Sequence, residues 1–443
     1  MVSMYGHLMK NTICAGLMLA LGACGLFADE KIKLEGERLS VLSSSAKLQP
    51  DFPEGKVKIK LPQPQKNSRW TQEGGNSEHL MSHLATGSKL KKFWDAGFGE
   101  GSSKRDMLIA KPIVAHRVVF AIDADAIVTA RRLDNGDQIW KKRLKPLNKD
   151  DKSSSMKGAG LAYFGKKIYA TTGFGGVFAL DMLTGREIWR YDAGMPIRIA
   201  PTTNADKLFV QTIDNTLIAL NSISGQEVWR YKTKTEGTTL VGGASPAYSP
   251  YLDVVIAAFS NGELRAFKSS TGTPLWSDNL ISRKRNNSLA NIAAIKANPV
   301  IDNDKIFAIG NSDILAAIDL KTGMRIWERE VSGTNQPWIA GQYMYVLSDN
   351  NELLALNKND GKIIWNTVIP NVNDKPGEFA VGPVLANNRL LVPTSDGHVF
   401  SISPYNGKLM GFINIDEDID MAPVVADGIV IFTTNDAEMV AYK

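Results

Sequence analysis

One motif recurs along most of this chain at a nearly constant interval. Four of its copies are GVFALDMLTGREIW at 176–189, TLIALNSISGQEVW at 216–229, ILAAIDLKTGMRIW at 314–327 and ELLALNKNDGKIIW at 352–365. The tryptophans that end the motif are spaced at intervals of 38 residues (Trp327 to Trp365) to 51 residues (Trp276 to Trp327). A repeat of this length indicates an array of similar structural units, and this constrains the fold more than composition does.

Each unit contains segments with the composition of short β-strands. KIYATT, KLFVQT, KIFAIG and RLLVPT are rich in β-branched and aromatic residues and lie between turn residues. A glycine precedes each tryptophan position, where a tight hairpin between the third and fourth strands requires a positive φ. These glycines are Gly136, Gly185, Gly225, Gly272, Gly323, Gly361 and Gly407. Four strands per unit at this period are typical of a β-propeller blade.

The number of units and the last of them predict how the array closes. Gly411 stands where an eighth tryptophan is expected, and APVVADGIVIFTTNDAEMVAYK then supplies only three strands. The missing outer strand is KLKKFWDAG (Lys89 to Gly97), which carries Trp94. The sequence therefore predicts an all-β fold, an eight-bladed β-propeller of four-stranded antiparallel blades. Its ring is closed by an N-terminal strand in the last blade, and each tryptophan packs from an outer strand against the neighbouring blade.

The N-terminus has the features of an export signal. ICAGLMLALGAC is an apolar run that is too short to span a bilayer as a helix but fits the apolar region of a secretory signal. Its last four residues, LGAC, resemble a bacterial lipobox, which implies removal of residues 1–23 and lipid attachment at Cys24. Cleavage by the ordinary signal peptidase after Gly25 is the alternative. Since Gly25 is not an aspartate, the resemblance favours the outer membrane.

We predict three regions along the chain: a signal peptide ending in a lipobox at 1–23, a tether or linker at 24–88, and the propeller at 89–443. Residues 29–88 contain SSS, LPQPQ and EGGN without sustained apolar alternation, which is typical of a linker or of a segment wrapped on a surface. Trp70 is an isolated large aromatic residue there, and we expect it to anchor the segment on the folded body.

The low net charge disfavours nucleic-acid binding, and the absence of known catalytic motifs disfavours an enzyme. The formal net charge of +5 is small for 443 residues, and both cysteines lie within the first 24. His79 and His83 have no third ligand in view, so a pair of surface histidines is favoured over a metal site. The sequence has no GxSxG, GxxxxGK[ST] or HExxH motif. We therefore predict a protein that is not an enzyme and has no cofactor and no metal.

The repeat resembles that of the pyrroloquinoline-quinone dehydrogenases, which share the A-L-D-x-x-T-G-x-x-x-W pattern. That resemblance would require a set of calcium ligands and usually an adjacent cysteine pair. The chain has no cysteine after Cys24, and no carboxylate cluster stands out as a ligand set. A dehydrogenase-like enzyme, or another periplasmic propeller that binds a ligand, remains the alternative interpretation.

A lipobox followed by eight such units is similar to the BamB family, lipoproteins of the bacterial β-barrel assembly machinery. The resemblance implies a non-catalytic scaffold, lipid-anchored to the outer membrane on its periplasmic side. It also implies binding to the POTRA domains of BamA and to other assembly components, with unfolded outer-membrane proteins as further candidate partners. Such a scaffold assists the insertion of β-barrel proteins into the outer membrane.

The resemblance also suggests where the partner binds. AGMPIRIAPTT matches the loop by which the family contacts BamA, with Met195, Ile197 and Arg198 as the partner-binding residues. An exposed apolar pair beside an arginine is typical of an interface hot spot. The alternative is that Ile197 only begins the first strand of the third blade. A second family contact uses an acidic pair, and this chain has Ala294 and Lys296 in those places.

Overall fold

A computed structural model describes residues 48–104, 106–146, 157–235, 242–281, 294–374 and 376–443. Residues 49–443 form one compact unit that contains eight four-stranded antiparallel sheets. The sheets are arranged as an eight-bladed β-propeller, so the predicted fold is confirmed. The first three strands of each blade are largely buried, as GVFALD (176–181) illustrates for the third strand of blade 2. In blades 1 to 5 the side chains of the fourth strand alternate between more and less exposed, as in EIWRYD (187–192), whereas the fourth strands of blades 6 to 8 lack this regular alternation.

The first strand of the chain closes the ring. It is β1 (Lys92–Gly97), and it pairs antiparallel with the last strand, so that Trp94 lies opposite Ala441 and Gly97 opposite Glu438. The last blade therefore takes its outer strand from the N-terminal side, as the sequence predicts. Closure in this way leaves no open side to the ring.

The remaining strands follow in chain order from the central channel outwards within each blade. Blades 1 to 4 consist of β2 (Ile113–Ala115), β3 (Val118–Ile122), β4 (Ile127–Arg132), β5 (Gln138–Arg143); β6 (Gly158–Phe164), β7 (Lys167–Thr172), β8 (Gly176–Asp181), β9 (Glu187–Asp192); β10 (Thr202–Thr203), β11 (Lys207–Gln211), β12 (Thr216–Asn221), β13 (Glu227–Lys232); and β14 (Ala247–Ser249), β15 (Val254–Ala258), β16 (Glu263–Lys268), β17 (Pro274–Asn279).

Blades 5 to 7, and the three C-terminal strands that complete blade 8 with β1, have the same order. They are β18 (Val300–Asp302), β19 (Lys305–Gly310), β20 (Ile314–Asp319), β21 (Arg325–Arg329); β22 (Trp338–Ala340), β23 (Tyr343–Leu347), β24 (Glu352–Asn357), β25 (Ile363–Val368); β26 (Val384–Ala386), β27 (Arg389–Pro393), β28 (His398–Ile402), β29 (Leu409–Asn414); and β30 (Val424–Ala426), β31 (Ile429–Thr433), β32 (Glu438–Tyr442).

The repeated Asp, Thr and Gly residues build the hairpin between the third and fourth strands. In blade 2 the Asp181 carboxylate accepts hydrogen bonds from the Thr184 backbone N–H at 2.9 Å and from its hydroxyl at 2.7 Å. These bonds, the hydroxyl first, lower the pKa of Asp181. Gly185 follows with φ +68°, a conformation that side chains other than glycine rarely adopt. The motif thus specifies a turn rather than a chemical site.

Each repeated tryptophan packs on the hairpin glycine of the next blade. The Trp140 indole N–H donates to the Met182 carbonyl oxygen at 2.9 Å. A Cβ on Gly185 would lie only 2.6 Å from the Trp140 ring, so the glycine leaves the space that the indole fills. Because the contact joins consecutive blades, the predicted packing of tryptophan against the neighbouring blade is confirmed.

Residues 49–91, which we call the N-terminal segment, run once around one face of the propeller. That face carries the hairpins between the first and second and between the third and fourth strands, and we call it the hairpin face. The contacts to the blades are Asp51 with Ile363 (blade 6), Asn67 with Val425 (blade 8), Trp70 with Val114 (blade 1), Thr71 with Tyr163 (blade 2), Gln72 with Thr203 (blade 3), Ser77 with Tyr248 (blade 4), Glu78 with Ile301 (blade 5) and Leu84 with Leu385 (blade 7).

The path of the N-terminal segment bears on whether residues 29–88 are a linker or a segment wrapped on a surface. The described part of that range, from Gln49 onwards, wraps the propeller surface. Trp70 is only 3% exposed, and its ring stacks on Trp338 with centroids 6.4 Å apart, so its predicted role as an anchor is confirmed. Within the part of the chain that the structure describes, no helix has the length and apolarity needed to cross a membrane.

Candidate functional site on the loop face

The face opposite the hairpin face carries the connections between blades and the loops between second and third strands. We call it the loop face. Trp70, Glu73 and Gly74 of the N-terminal segment line the central channel from the hairpin face. Loops on a rigid scaffold are where binding residues concentrate. The channel as outlined by the described residues therefore has a floor at the hairpin face and a mouth at the loop face. The loop face is accordingly the candidate site.

The predicted contact loop is fastened to two blades. The Ala193 backbone N–H donates to the Gly175 carbonyl oxygen at 2.9 Å, which ties the loop to blade 2. The Pro196 carbonyl oxygen accepts the Ile213 N–H at 2.9 Å, which ties it to blade 3. These bonds hold the loop in a defined position, with Met195 39% exposed at its tip.

The expectation of an exposed apolar pair is wrong for Ile197. Its side chain is 0% exposed and belongs to an apolar core shared by blades 2 and 3. The backbone of Ile197 forms an isolated bridge with Thr212, and its N–H bonds to the Thr172 carbonyl oxygen at 3.3 Å, which directs the side chain inwards. The alternative also needs correction, because the first strand of blade 3 begins at Thr202.

Arg198 is half-buried and lies where the loop enters the channel mouth. Its Nε is buried and has no hydrogen-bond partner in the described part of the chain. Arg198 lines one concave surface together with Gly242, Ala294 and Lys296. The structure thus brings the loop of Met195 close to the stretch with Ala294 and Lys296, although the two lie almost 100 positions apart in the sequence.

The channel mouth carries charges of both signs. Lys296 reaches the solvent of the channel, but surrounding protein desolvates its ammonium group and lowers its pKa. Desolvation by burial likewise raises the pKa of Asp349 and of Asp420. Lys296 interacts electrostatically with both carboxylates. These shifts all follow from placing charged groups in a concave site with limited water.

The floor of the channel is held by paired polar groups. The Lys111 ammonium lies 2.6 Å from the Glu73 carboxylate. Asn298 donates to Gln336 at 3.1 Å, and Gln336 donates to the His79 carbonyl oxygen at 2.9 Å. Because the N-terminal segment supplies Glu73 and His79, the floor is a built part of the propeller rather than a loosely covering strand.

The sequence-based interpretation of the two histidines as a surface pair is wrong. His79 and His83 are 2% and 1% exposed. The His79 Nδ1 lies 2.8 Å from the Pro299 carbonyl oxygen, and burial lowers its pKa to about 4. The His83 Nδ1 lies 2.7 Å from the Pro62 carbonyl oxygen, and its Nε2 accepts the Asn388 N–H at 3.0 Å. Both rings fasten the N-terminal segment.

Two further predictions concern covalent and metal chemistry. Cys24, the predicted lipid-attachment residue, lies outside the described residues. Over the described ranges, no group of three or more His, Cys, Asp or Glu side chains is placed to hold a metal ion.

Comparison with known proteins places this chain among propellers of one family. The family model described as "Outer membrane protein assembly factor BamB" matches residues 124–367, which is more than half of the 443 residues. The chain belongs to the BamB family. The relative of that name from Salmonella typhimurium is 26% identical over 334 residues, 74% of this chain and 83% of the relative. BamB from Escherichia coli K12 is 26% identical over 329 residues, 73% of this chain and 82% of the relative.

Solved structures agree with the BamB fold. The crystal structure of BamB from Moraxella catarrhalis matches with a TM-score of 0.67 at 18% identity, covering 80% of this chain and 100% of that one. The quinohemoprotein alcohol dehydrogenase of Comamonas testosteroni matches with a TM-score of 0.66 at 12% identity, covering 85% of this chain and 80% of that one. At these identities the likeness concerns the fold alone.

The BamB match divides the candidate site into two parts. Met195, Ile197, Arg198 and Lys296 lie inside the matched residues 124–367, whereas the N-terminal segment lies outside them. The sequence analysis missed the channel floor, since Glu73 and Trp70 come from a stretch without strand periodicity. The isolated Trp70 was the only local signal that this stretch is packed on the propeller.

Proposed function

We propose that this chain is a non-catalytic scaffold lipoprotein of the β-barrel assembly complex. In this role it binds the POTRA domains of BamA and works with other assembly components. It thereby assists the insertion of β-barrel proteins into the outer membrane, where a lipid on Cys24 anchors it on the periplasmic side. The observation that carries the proposal is the BamB family match over residues 124–367. Relatives named as outer membrane protein assembly factors support it.

The loop face is the proposed partner surface because the N-terminal segment occupies the other face. Met195 is the exposed apolar group of the contact, and Arg198 supplies charge and hydrogen-bond donors beside it. Ile197 contributes by anchoring the loop in the core of blades 2 and 3. Arginine beside an apolar group is enriched at interface hot spots. A loop already fixed by backbone bonds also loses less conformational entropy on binding.

Capture of BamA from detergent-solubilised membranes tests this surface. We expect Arg198→Glu to reduce the amount of BamA that co-purifies with the protein, because the substitution reverses the charge at the contact. Arg186→Glu is the matched control: it makes the same change in blade 2, at the exposed hairpin on the opposite face. Equal capture by both variants and the wild type would eliminate the loop as the contact. Recovery of the wild type without any barrel-assembly component would overturn the proposed function.

The anchor is tested in the same cells. With labelled palmitate, the wild type should acquire label and remain with the outer membrane, whereas Cys24→Ala should do neither. Label on the Cys24→Ala variant would contradict lipid attachment at this residue.

A dehydrogenase with the same propeller fold is the alternative function. Its test is dye reduction by the purified protein supplied with pyrroloquinoline quinone, calcium ions and a panel of alcohols. We expect no rate above that of the quinone alone, and clear turnover would end the proposal of a scaffold without catalysis.

A further inference from the structure

The central channel is a blind cavity in the described part of the chain. Its volume is about 480 Å³, which lies within the range of about 300–1,000 Å³ usual for small-molecule sites. Displacing the floor would cost free energy, because it would break the two hydrogen bonds between Gln72 and Thr203 and the ion pair between Glu73 and Lys111. A ligand could therefore enter only from the loop face.

Two cationic side chains in the cavity wall lack a hydrogen-bond or ion-pair partner among the residues that the structure describes. Arg198 precedes blade 3 and Lys296 precedes blade 5, and both line the cavity. Neither has a hydrogen bond or an ion pair with another described residue. Leaving a partly desolvated charge unpaired costs free energy, and an anionic ligand would remove that cost.

Two carboxylates line the other half of the ring. Asp349 follows the second strand of blade 6, and Asp420 precedes blade 8. Asp349 accepts hydrogen bonds from Thr334, through its hydroxyl at 3.2 Å and its backbone N–H, and from the Ser332 hydroxyl, whereas Asp420 accepts one from Asn435 at 2.8 Å. Each carboxylate thus keeps acceptor capacity. Although both act electrostatically on Lys296, neither forms an ion pair with it.

Apolar groups line the cavity on the side of blades 6 to 8, beside the two carboxylates. Trp338 forms part of the wall, stacked on Trp70, and Met421 and Phe379 complete an apolar lining. Small-molecule sites typically combine such a lining with a few polar groups that fix the orientation of the ligand. The ligand should accordingly have an apolar body between its charged ends.

We propose that the blind channel, with its cations Arg198 and Lys296, its carboxylates Asp349 and Asp420 and its apolar wall, binds a small zwitterion of dipeptide size. The ligand carboxylate pairs with the two cations and the ligand ammonium with the two carboxylates. Charge-assisted hydrogen bonds at both ends fix its orientation. This site shares Arg198 with the partner contact proposed above, but a small ligand is measured on the isolated protein, so failure to bind it would leave the proposed partner contact untouched.

Isothermal titration calorimetry with three matched ligands tests the proposal. They are leucyl-leucine, N-acetyl-leucyl-leucine, which lacks the ammonium, and leucyl-leucinamide, which lacks the carboxylate. Losing one charge-assisted interaction should weaken binding at least about tenfold, so leucyl-leucine should bind that much more tightly than either blocked form. Undetectable binding of all three, or equal binding of leucyl-leucine and a blocked form, would overturn the proposal.

Two variants assign the ends of the ligand. Lys296→Gln should reduce the preference for leucyl-leucine over the amide, and Asp349→Asn should reduce the preference over the acetylated form, because one group of each pair remains. Lys141→Gln is the control, since Lys141 lies exposed on the outer strand β5, away from the channel. The melting temperature of each variant shows whether it is folded. Preferences that both channel variants retain in full would contradict the proposed site.

Discussion

The junction between blades 3 and 4 differs from the junction between blades 7 and 8. At the first, the Trp229 indole N–H donates to the Ser269 carbonyl oxygen at 2.8 Å, and the ring stacks on Phe267 with centroids 6.1 Å apart. A Cβ on Gly272 would lie 2.5 Å from the Trp229 ring. At the second, Gly411 occupies the position of the tryptophan, and a Cβ there would meet nothing within 4 Å.

The difference follows from where the chain begins and ends in the ring. Blade 8 has no hairpin between its third and fourth strands, because β32 is C-terminal and β1 is N-terminal. A tryptophan in blade 7 would therefore have no hairpin glycine to pack on. The chain entering β1 takes that place, and the Arg389 guanidinium donates to the Gly87 and Ser88 carbonyl oxygens at 2.7 and 2.6 Å. Hydrogen bonds to the chain before β1 thus stand where the other junction has a large aromatic ring, although an apolar core joins blades 7 and 8 as well.

Removing the Trp229 indole should cause the largest loss of stability at these two junctions. We expect Trp229→Ala to lower the free energy of unfolding by about 3 kcal/mol, because it leaves a cavity between Phe209 and Phe267 and an unpaired Ser269 carbonyl. Urea denaturation followed by circular dichroism measures it. The control is Met410→Ala on the outer strand of blade 7, where the side chain is 61% exposed and the change should stay within about 0.5 kcal/mol. Similar losses for both variants would mean that the junctions do not differ in this way.

A smaller effect should come from the glycine beneath the ring. Gly272→Ala combines a left-handed φ of +70° with a clash against Trp229, and we expect a loss of about 2–3 kcal/mol. Gly428→Ala is the matched control, since φ is +77° there but no atom lies within 4 Å of the added Cβ. That control should lose only about 1 kcal/mol from backbone strain. Equal shifts in the urea midpoint would show that strain alone, and not the indole contact, makes glycine necessary.

The two kinds of junction also explain what the sequence could predict. Each hairpin glycine and each tryptophan acts on residues nearby or in the next blade, so the repeat itself predicts the eight blades and their closure by β1. The N-terminal segment was not predictable in this way. It makes one or a few contacts with each of the eight blades, and such contacts impose no period on its sequence.

The candidate site was predictable in part, for a similar reason. The loop with Met195 and Arg198 could be located by its resemblance to the BamB family, whereas the burial of Ile197 could not. Ile197 lies before the first strand of blade 3, where no strand alternation indicates which way a side chain points. The charges of the channel come from four connections far apart in the chain, so only the closed ring brings them together.

The smallest predicted effect concerns the pH dependence of ring closure. Glu438 on β32 is hydrogen-bonded to Asp95 on β1, and its burial, together with this bond, raises its pKa from 4.5 to about 7. The folded protein therefore keeps a proton that the unfolded chain releases, so stability should fall as the pH rises from about 4.5 to 7. Burial of His79 opposes this change below about pH 6.5, so the prediction concerns a difference between two proteins. Between pH 5 and pH 8 the urea midpoint of the wild type should decrease relative to that of Glu438→Gln, because the amide cannot lose this proton. Glu352→Gln is the control, because it makes the same change at the corresponding residue of blade 6. Glu352 lies opposite Val368, so no carboxylate faces it there, and this variant should retain the pH dependence of the wild type. An unchanged dependence in Glu438→Gln would mean that the carboxyl pair does not couple proton binding to the closing of the ring.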